Sequence, residues 1–261
     1  VAADGIHSAL RQQFYPYEGA PRWNGMMMWR GTTLARPFLD GRTMVQAGHR
    51  RAKFVVYPIE PVRPDGLQRI NWICDRRLRE DGFGGGLTAP SREDWSKPGS
   101  LDDLLPTFGS WRFAWLDVPG LIRAAEQILE WPMVDRDPLP RWRHGHTTLL
   151  GDAAHPMYPI GSNGATQAIL DAAALADALD GHASITAALN AYEAARLPMT
   201  RDIVAMNRRE GLDAILDMVE EAAPEGFARI EDVTDPTVLA EWVQAYKKAA
   251  GHQVGRPQSA P

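Results

Sequence analysis

The sequence predicts a mixed α/β (α+β) fold, with an antiparallel sheet in its first half and helices toward its end. Three observations predict it. Residues 26–75 hold short runs rich in Val, Ile, Thr, Trp and Tyr, separated by Gly and Pro clusters. An apolar run, HTTLLGD, then passes through a loop with two Pro and two Gly into the Ala- and Leu-rich stretch 164–180. Further helical stretches follow at 184–209, 210–222 and 236–250.

Taken in order, VAADGIHSALRQQFYP opens with a short apolar start, an Asp-Gly turn and a helical stretch that Pro16 stops. MMMWRGTTL, TMVQAG, KFVVYPIE and RINWICD read as strands of an antiparallel meander. Residues 80–100 combine Gly, Pro and charge without periodicity and read as loop, including the glycines of GFGGGL at 82–87. Residues 101–107 and 119–130 read as helices, with Pro119 at the start of the second and Pro132 past its end. HTTLLGD reads as a buried strand, and 164–180 as a helix buried on most faces. The final GHQVGRPQSAP reads as a disordered tail.

Composition narrows the function. In 261 residues, 28 basic and 33 acidic side chains leave a net charge of −5, which disfavours a nucleic-acid partner. The apolar residues are scattered, without an uncharged 18-residue run for a membrane span. A single cysteine, Cys74, rules out an internal disulfide and a Cys-built zinc site, and suits the cytoplasm. His144, His146, Asp152 and His155 are spaced along a strand and past its end, so no metal is expected there. The loop lacks the Gly-x-Ser-x-Gly pattern of a hydrolase elbow around Ser162.

The strand–loop–helix at 147–180 is the strongest functional signal. The first turn of a helix presents backbone N–H groups without intrahelical partners, and the helix dipole adds positive potential there. Gly161 and Gly164 let a flat ligand come close to the backbone. Asp152 is placed to accept from a sugar-like hydroxyl, or else it only caps the turn.

GDAAHPMYPIGSNGATQAILDA resembles the Gly-Asp flavin motif of the class A FAD-dependent aromatic hydroxylases, monooxygenases with the p-hydroxybenzoate hydroxylase fold. VAADGIHSALR resembles the same family's Asp-Gly motif, with Asp4, Gly5, Ser8 and Arg11 at the matching positions. The loop variant, together with WRG, is similar to the salicylate- and phenazine-hydroxylase branch. The resemblance implies that Asp4 and Arg11 help bind FAD and reduced nicotinamide. It implies that Asp152 contacts the flavin ribityl chain, and that Pro159, Gly161, Ser162, Asn163, Gly164 and Ala165 border the flavin. It implies NAD(P)H as co-substrate and a small aromatic or heteroaromatic compound as the hydroxylated substrate. One wall of the substrate pocket is expected from Trp29, Arg30, Tyr57 and Trp72, of which strand alternation lets only some face a ligand. The implied division is 1–20 from the FAD-binding domain, 21–140 as a substrate domain made mainly of sheet, 141–210 as the return of the FAD-binding domain, and 211–261 as C-terminal helices and tail. No G-x-G-x-x-G unit is found, so the chain reads as the C-terminal part of such an enzyme. Two other readings stay open here: a different flavin reaction on this scaffold, such as halogenation, and a chain that holds no flavin.

Overall fold

The computed structural model describes residues 1–82, 87–90, 94–209 and 213–249. Most of GFGGGL, the start of the expected 210–222 helix and the expected disordered tail lie outside the described residues. The fold is mixed α/β, with an antiparallel sheet and C-terminal helices. Helix α1 (Ala9–Phe14) is followed by β1 (Arg22–Ala35), β2 (Val45–His49), β3 (Ala52–Pro58), β4 (Gln68–Arg77) and β5 (Leu87–Thr88). Next come α2 (Leu101–Phe108), the small hairpin β6 (Arg112–Phe113) and β7 (Leu116–Asp117), α3 (Val118–Arg123) and β8 (Ile128–Asp135). The chain ends in α4 (Gly164–Gly181), α5 (Ile185–Arg208), α6 (Ala214–Ala222) and α7 (Pro236–Ala249). Among the described residues, no helix is long and apolar enough to cross a membrane.

The described chain divides into two compact units. Residues 25–82 and the described part of 89–133 form one. Residues 1–24, 87–88 and the described residues from 134 onward form the other.

In the first unit β2, β3 and β4 form the expected meander, but β1 pairs with β4 rather than with β2, giving the order β2-β3-β4-β1-β5. The reason is burial. β1 is enclosed from Trp23 to Trp29, so it takes an interior place in the sheet, where both faces are covered. The register, Trp29 opposite Cys74 and Gly31 opposite Trp72, fixes which side chains share a face. On one face Phe54, Val56, Ile70, Trp72 and Cys74 are enclosed together, and Phe54 meets both Trp72 and Phe108 of α2. The Trp72 indole lies over Gly31, where a Cβ would come within 2.3 Å of the ring. Glycine in WRG thus makes room for the indole. Burial, helped by the charge of Asp75, pushes the Cys74 thiol well above its ordinary pKa, as expected of a packed and inert sulfur.

Three element expectations are corrected. The helix begun at Pro119 ends at Arg123, and 128–135 is the strand β8, which pairs with β1. Its Ile, Trp and Val side chains favour the pleated surface, and β1 supplies the partner. The 147–150 run is extended and buried at Thr148 and Leu149, yet it makes only isolated bridges, parallel from Leu149 to Ala2 and antiparallel from Thr147 to His144. Ala2 donates to the Thr148 carbonyl and accepts from Leu150 N–H, and the Asp4-Gly5 turn follows at once. Helix α4 is enclosed along one stripe only, Gln167, Asp171, Leu175 and Ala178, at helical spacing. Ile169 on another face is 71% exposed.

The core of the second unit gathers Ala2, Leu139, Trp142, Leu149, Leu175, Leu189 and Tyr192. Near the end of α5, Arg208 grips Asp135 with two hydrogen bonds, of 2.7 and 2.8 Å, and Asp137 with a third. That bidentate grip ties α5 to the last residue of β8.

Candidate functional site: the Gly151–Ala165 loop and the start of α4

Gly151 starts the loop with φ +61°, a conformation that costs any L side chain; an added Cβ would also meet Ala168 at 3.2 Å. Its N–H donates to Asp171 Oδ2. The same oxygen lies 2.5 Å from His155 Nε2, while Oδ1 accepts from Arg196 Nε at 2.7 Å. Arg196 also donates to Gln167 Oε1 at 2.7 Å. Asp171 is completely enclosed, and burial alone would raise its pKa. The His155, Arg196 and Gly151 donors outweigh that penalty and hold the carboxyl below its ordinary value. A buried ionic network thus fixes both ends of the turn, from α4 and α5.

The outer part of the loop differs. Asp152 is exposed and accepts no hydrogen bond from the described residues. Partial burial of its carboxyl raises its pKa, against a pull from His155. Its Oδ1 lies 3.9 Å from where a Cβ on Gly164 would stand, so the carboxylate borders the first residue of α4. Pro159 leads into a short 3₁₀ turn, Ile160–Ser162. Gly161 (φ +74°) and Ser162 (φ +55°) both lie in the left-handed region, which for serine is a strained choice. Asn163 is fully enclosed, but its side chain does not cap α4, and the first turn of α4 carries no acid. Gly164 is half-buried and Ala165 exposed, so the unpaired N–H groups of this helix start keep their positive potential.

The Asp-Gly segment is tied to this loop through Arg11. Its side chain is 1% exposed and donates to the carbonyls of Ala153 and Ala154, to Asp137 O and to the Glu18 carboxylate. These bonds commit the guanidinium within the protein, so Arg11 holds the Gly-Asp backbone from behind. Asp4 is exposed; against the desolvation penalty, the hydrogen bonds from Ser8 and the Ala9 N–H together hold its carboxyl below the usual range. Gly5 adopts φ +79°, and the Ser8 hydroxyl caps α1 by accepting from Arg11 N–H.

The four pocket-wall candidates separate by face. Trp29 and Trp72 are core: their indole N–H groups donate to Glu130 and to Thr33 Oγ1, and both are closed off from solvent. Arg30 is exposed and Tyr57 half-buried, on the opposite face of the sheet. Alternation makes this split unavoidable for Trp29 and Arg30, which are sequence neighbours. Of the histidines, His144 stacks on Phe14 and meets the Tyr15 hydroxyl, while His155 joins Asp171. No group of metal-ligating side chains forms among the described residues.

Sequence reasoning missed Asp171, Gln167 and Arg196. Their signal is two polar residues, i and i+4, on the stripe of α4 that is otherwise apolar.

A family model described as FAD binding domain matches residues 118–207. The phenazine 1,6-dicarboxylic acid hydroxylase of Lysobacter antibioticus is 47% identical over 210 residues, 80% of this chain and 50% of that protein. A 3-amino-4-hydroxybenzoate 2-monooxygenase of Streptomyces platensis is 37% identical over 216 residues, 81% of this chain and 50% of its own length. The chain therefore spans about half the length of the curated relatives it matches. A salicylate hydroxylase solved as a substrate complex shares the fold at a TM-score of 0.62 and 21% identity, over 99% of this chain and 64% of that one. With both sequence motifs, the matched domain and the shared fold in agreement, the chain is similar to the class A FAD-dependent aromatic hydroxylases over the half of those relatives that it spans.

Proposed function

We propose that the protein hydroxylates a small aromatic or heteroaromatic acid, using FAD, NAD(P)H and dioxygen. The carrying observation is Asp152. It is an exposed carboxylate without a hydrogen-bond partner among the described residues, beside a helix start that lacks a side-chain cap, inside the segment matched by the FAD-binding family model. These residues fit a flavin nucleotide: a carboxylate for a polyol hydroxyl, open N–H donors for the electron-rich edge of the ring system, and positive-φ backbone at Gly161 and Ser162 for a close approach.

FAD, when bound, supplies the redox chemistry: electrons from NAD(P)H and the activation of dioxygen. The chain's own residues do the rest. Asp152 accepts from the polyol chain. Pro159, Gly161, Ser162, Asn163, Gly164 and Ala165 border the ring, and the dipole of α4 favours negative charge there. Arg11 and the Asp171 network keep the Gly-Asp backbone in place, and Asp4 stands at the start of the α1 turn. Arg30 and Tyr57 offer the polar edge of a substrate wall. Both named relatives take their names from aromatic acids, which supports an acid as substrate. A cytoplasmic setting belongs to this reading, supported by the free, buried thiol of Cys74.

The test is flavin content after gel filtration, followed by NAD(P)H oxidation and product mass with aromatic acids. The expected result is bound FAD, ligand-stimulated oxidation and a product heavier by one oxygen. A protein that retains no flavin contradicts the reading.

A further inference from the structure

We propose that Arg30 and Asn71 form an oxyanion fork that recognises the carboxylate of an aromatic acid on the exposed-arginine face of the sheet. The inference rests on the substrate reading above and deepens it by naming the group recognised and the atoms that recognise it.

The register puts Arg30 of β1 opposite Ile73 of β4, and Ile73 opposite Val55 of β3. One row along, Thr32 stands opposite Asn71, and Asn71 opposite Tyr57. Cross-strand partners share a face, so these six side chains form one patch. Arg30 reaches solvent, Ile73 and Tyr57 are half-buried, and Val55 is buried. Strands lie about 4.8 Å apart and two residues rise about 6.7 Å, so the diagonal from Arg30 to Tyr57 spans roughly 12 Å. That is room for a planar ring system lying on Ile73 and Val55, with a charged donor at one end and an aromatic hydroxyl at the other.

Two details turn the patch into a built site. Arg30 Nε donates to Asn71 Oδ1 at 2.6 Å. Arginine nitrogen can only donate, so this bond fixes which way the Asn71 amide faces, and it leaves the four terminal N–H donors of Arg30 for a ligand. Asn71 is fully enclosed, and its Nδ2 has no hydrogen-bond partner among the described residues. A buried amide donor without an acceptor is unusual, and it sits beside the fork that needs an anion. No carboxylate of the described residues pairs with Arg30. Lys53 and Arg69 on the same face are engaged, with Asp75 and with Glu60 and Glu126. A planar carboxylate matches the guanidinium fork in geometry and charge.

The experiment titrates the FAD-loaded protein with phenazine-1,6-dicarboxylate and with the neutral diamide of the same ring system, following tryptophan fluorescence. Wild type, Arg30→Met and Arg30→Lys are compared. The expected result is that Arg30→Met weakens dicarboxylate binding by about 10- to 100-fold, the range for lost charged hydrogen bonds, and leaves diamide binding nearly unchanged. Arg30→Lys falls between, because an ammonium keeps the charge and loses the fork. Equal loss of both ligands in Arg30→Met, unchanged dicarboxylate binding, or a wild type that binds neither would overturn the proposal. Flavin content, measured in each variant, reports separately on the function proposed above: normal flavin with no charge discrimination removes the fork and leaves the flavin reading standing.

Discussion

In the β1–β4 sheet, the enclosed face is filled by Phe54, Val56, Trp72 and Cys74, and the Trp72 indole N–H donates to Thr33 Oγ1. Between Gly151 and Ala165 the chain is held differently. Three residues have positive φ, a charged network of Asp171, His155, Arg196 and Gln167 grips the start of the turn, and Asp152 accepts no hydrogen bond from the described residues. The sheet face is stabilised by area removed from water, and its specificity lies in shape. The loop holds an unfavourable backbone in place by hydrogen bonds, and the group it leaves unbonded is the one available to a ligand. Substitutions in the two regions should therefore fail in different ways.

The largest effects separate those ways by pH. Trp72→Ala should cost about 3–5 kcal/mol of unfolding free energy through the cavity it leaves. Asp171→Ala should cost a similar amount, about 3–5 kcal/mol, because Arg196 is left buried without its carboxylate. Urea unfolding at several pH values distinguishes them. The folded-state pKa of Asp171 lies below the unfolded value, so its contribution is present above the unfolded pKa and is lost as pH falls through the folded one. Wild type and Trp72→Ala should both lose stability as pH falls below about 4, near the ordinary aspartate pKa, and Asp171→Ala should lose less. Parallel acid limbs in all three proteins would break the distinction.

A smaller effect tests the backbone alone. Gly161→Ala, at φ +74°, should cost about 1–2 kcal/mol, the penalty of placing a Cβ in the left-handed region. Thermal unfolding reads it. A neutral Gly161→Ala would mean that the loop relaxes out of that conformation freely.

The sheet was legible from the sequence because β-branched and aromatic residues mark a pleated surface, and Gly or Pro marks its turns. The neighbour of β1 was not, since pairing with β4 is a long-range choice made by burial on both faces of β1. The first three residues of ILEWPMVD misled as the end of a helix: Pro119 starts α3 correctly, but nothing local says that the next apolar run has a strand waiting for it. At the site, the Gly-Asp loop and the limits of α4 could be read from glycines and prolines. Asn71 and Asp171 could not, because each is a polar residue in an apolar segment whose partner, Arg30 or Arg196, is fixed only by the fold.

The central claim is that Asp152 is exposed and unbonded because its partner is the flavin. FAD affinity of Asp152→Ala, measured by fluorescence titration of the deflavinated protein beside its unfolding midpoint, tests this most directly. The account predicts a loss of about 1.5–3 kcal/mol in FAD binding, the range for a charged hydrogen bond, with an unfolding midpoint of the flavin-free protein that does not move. Unchanged FAD affinity, or a loss of affinity matched by a loss of fold stability, would contradict it.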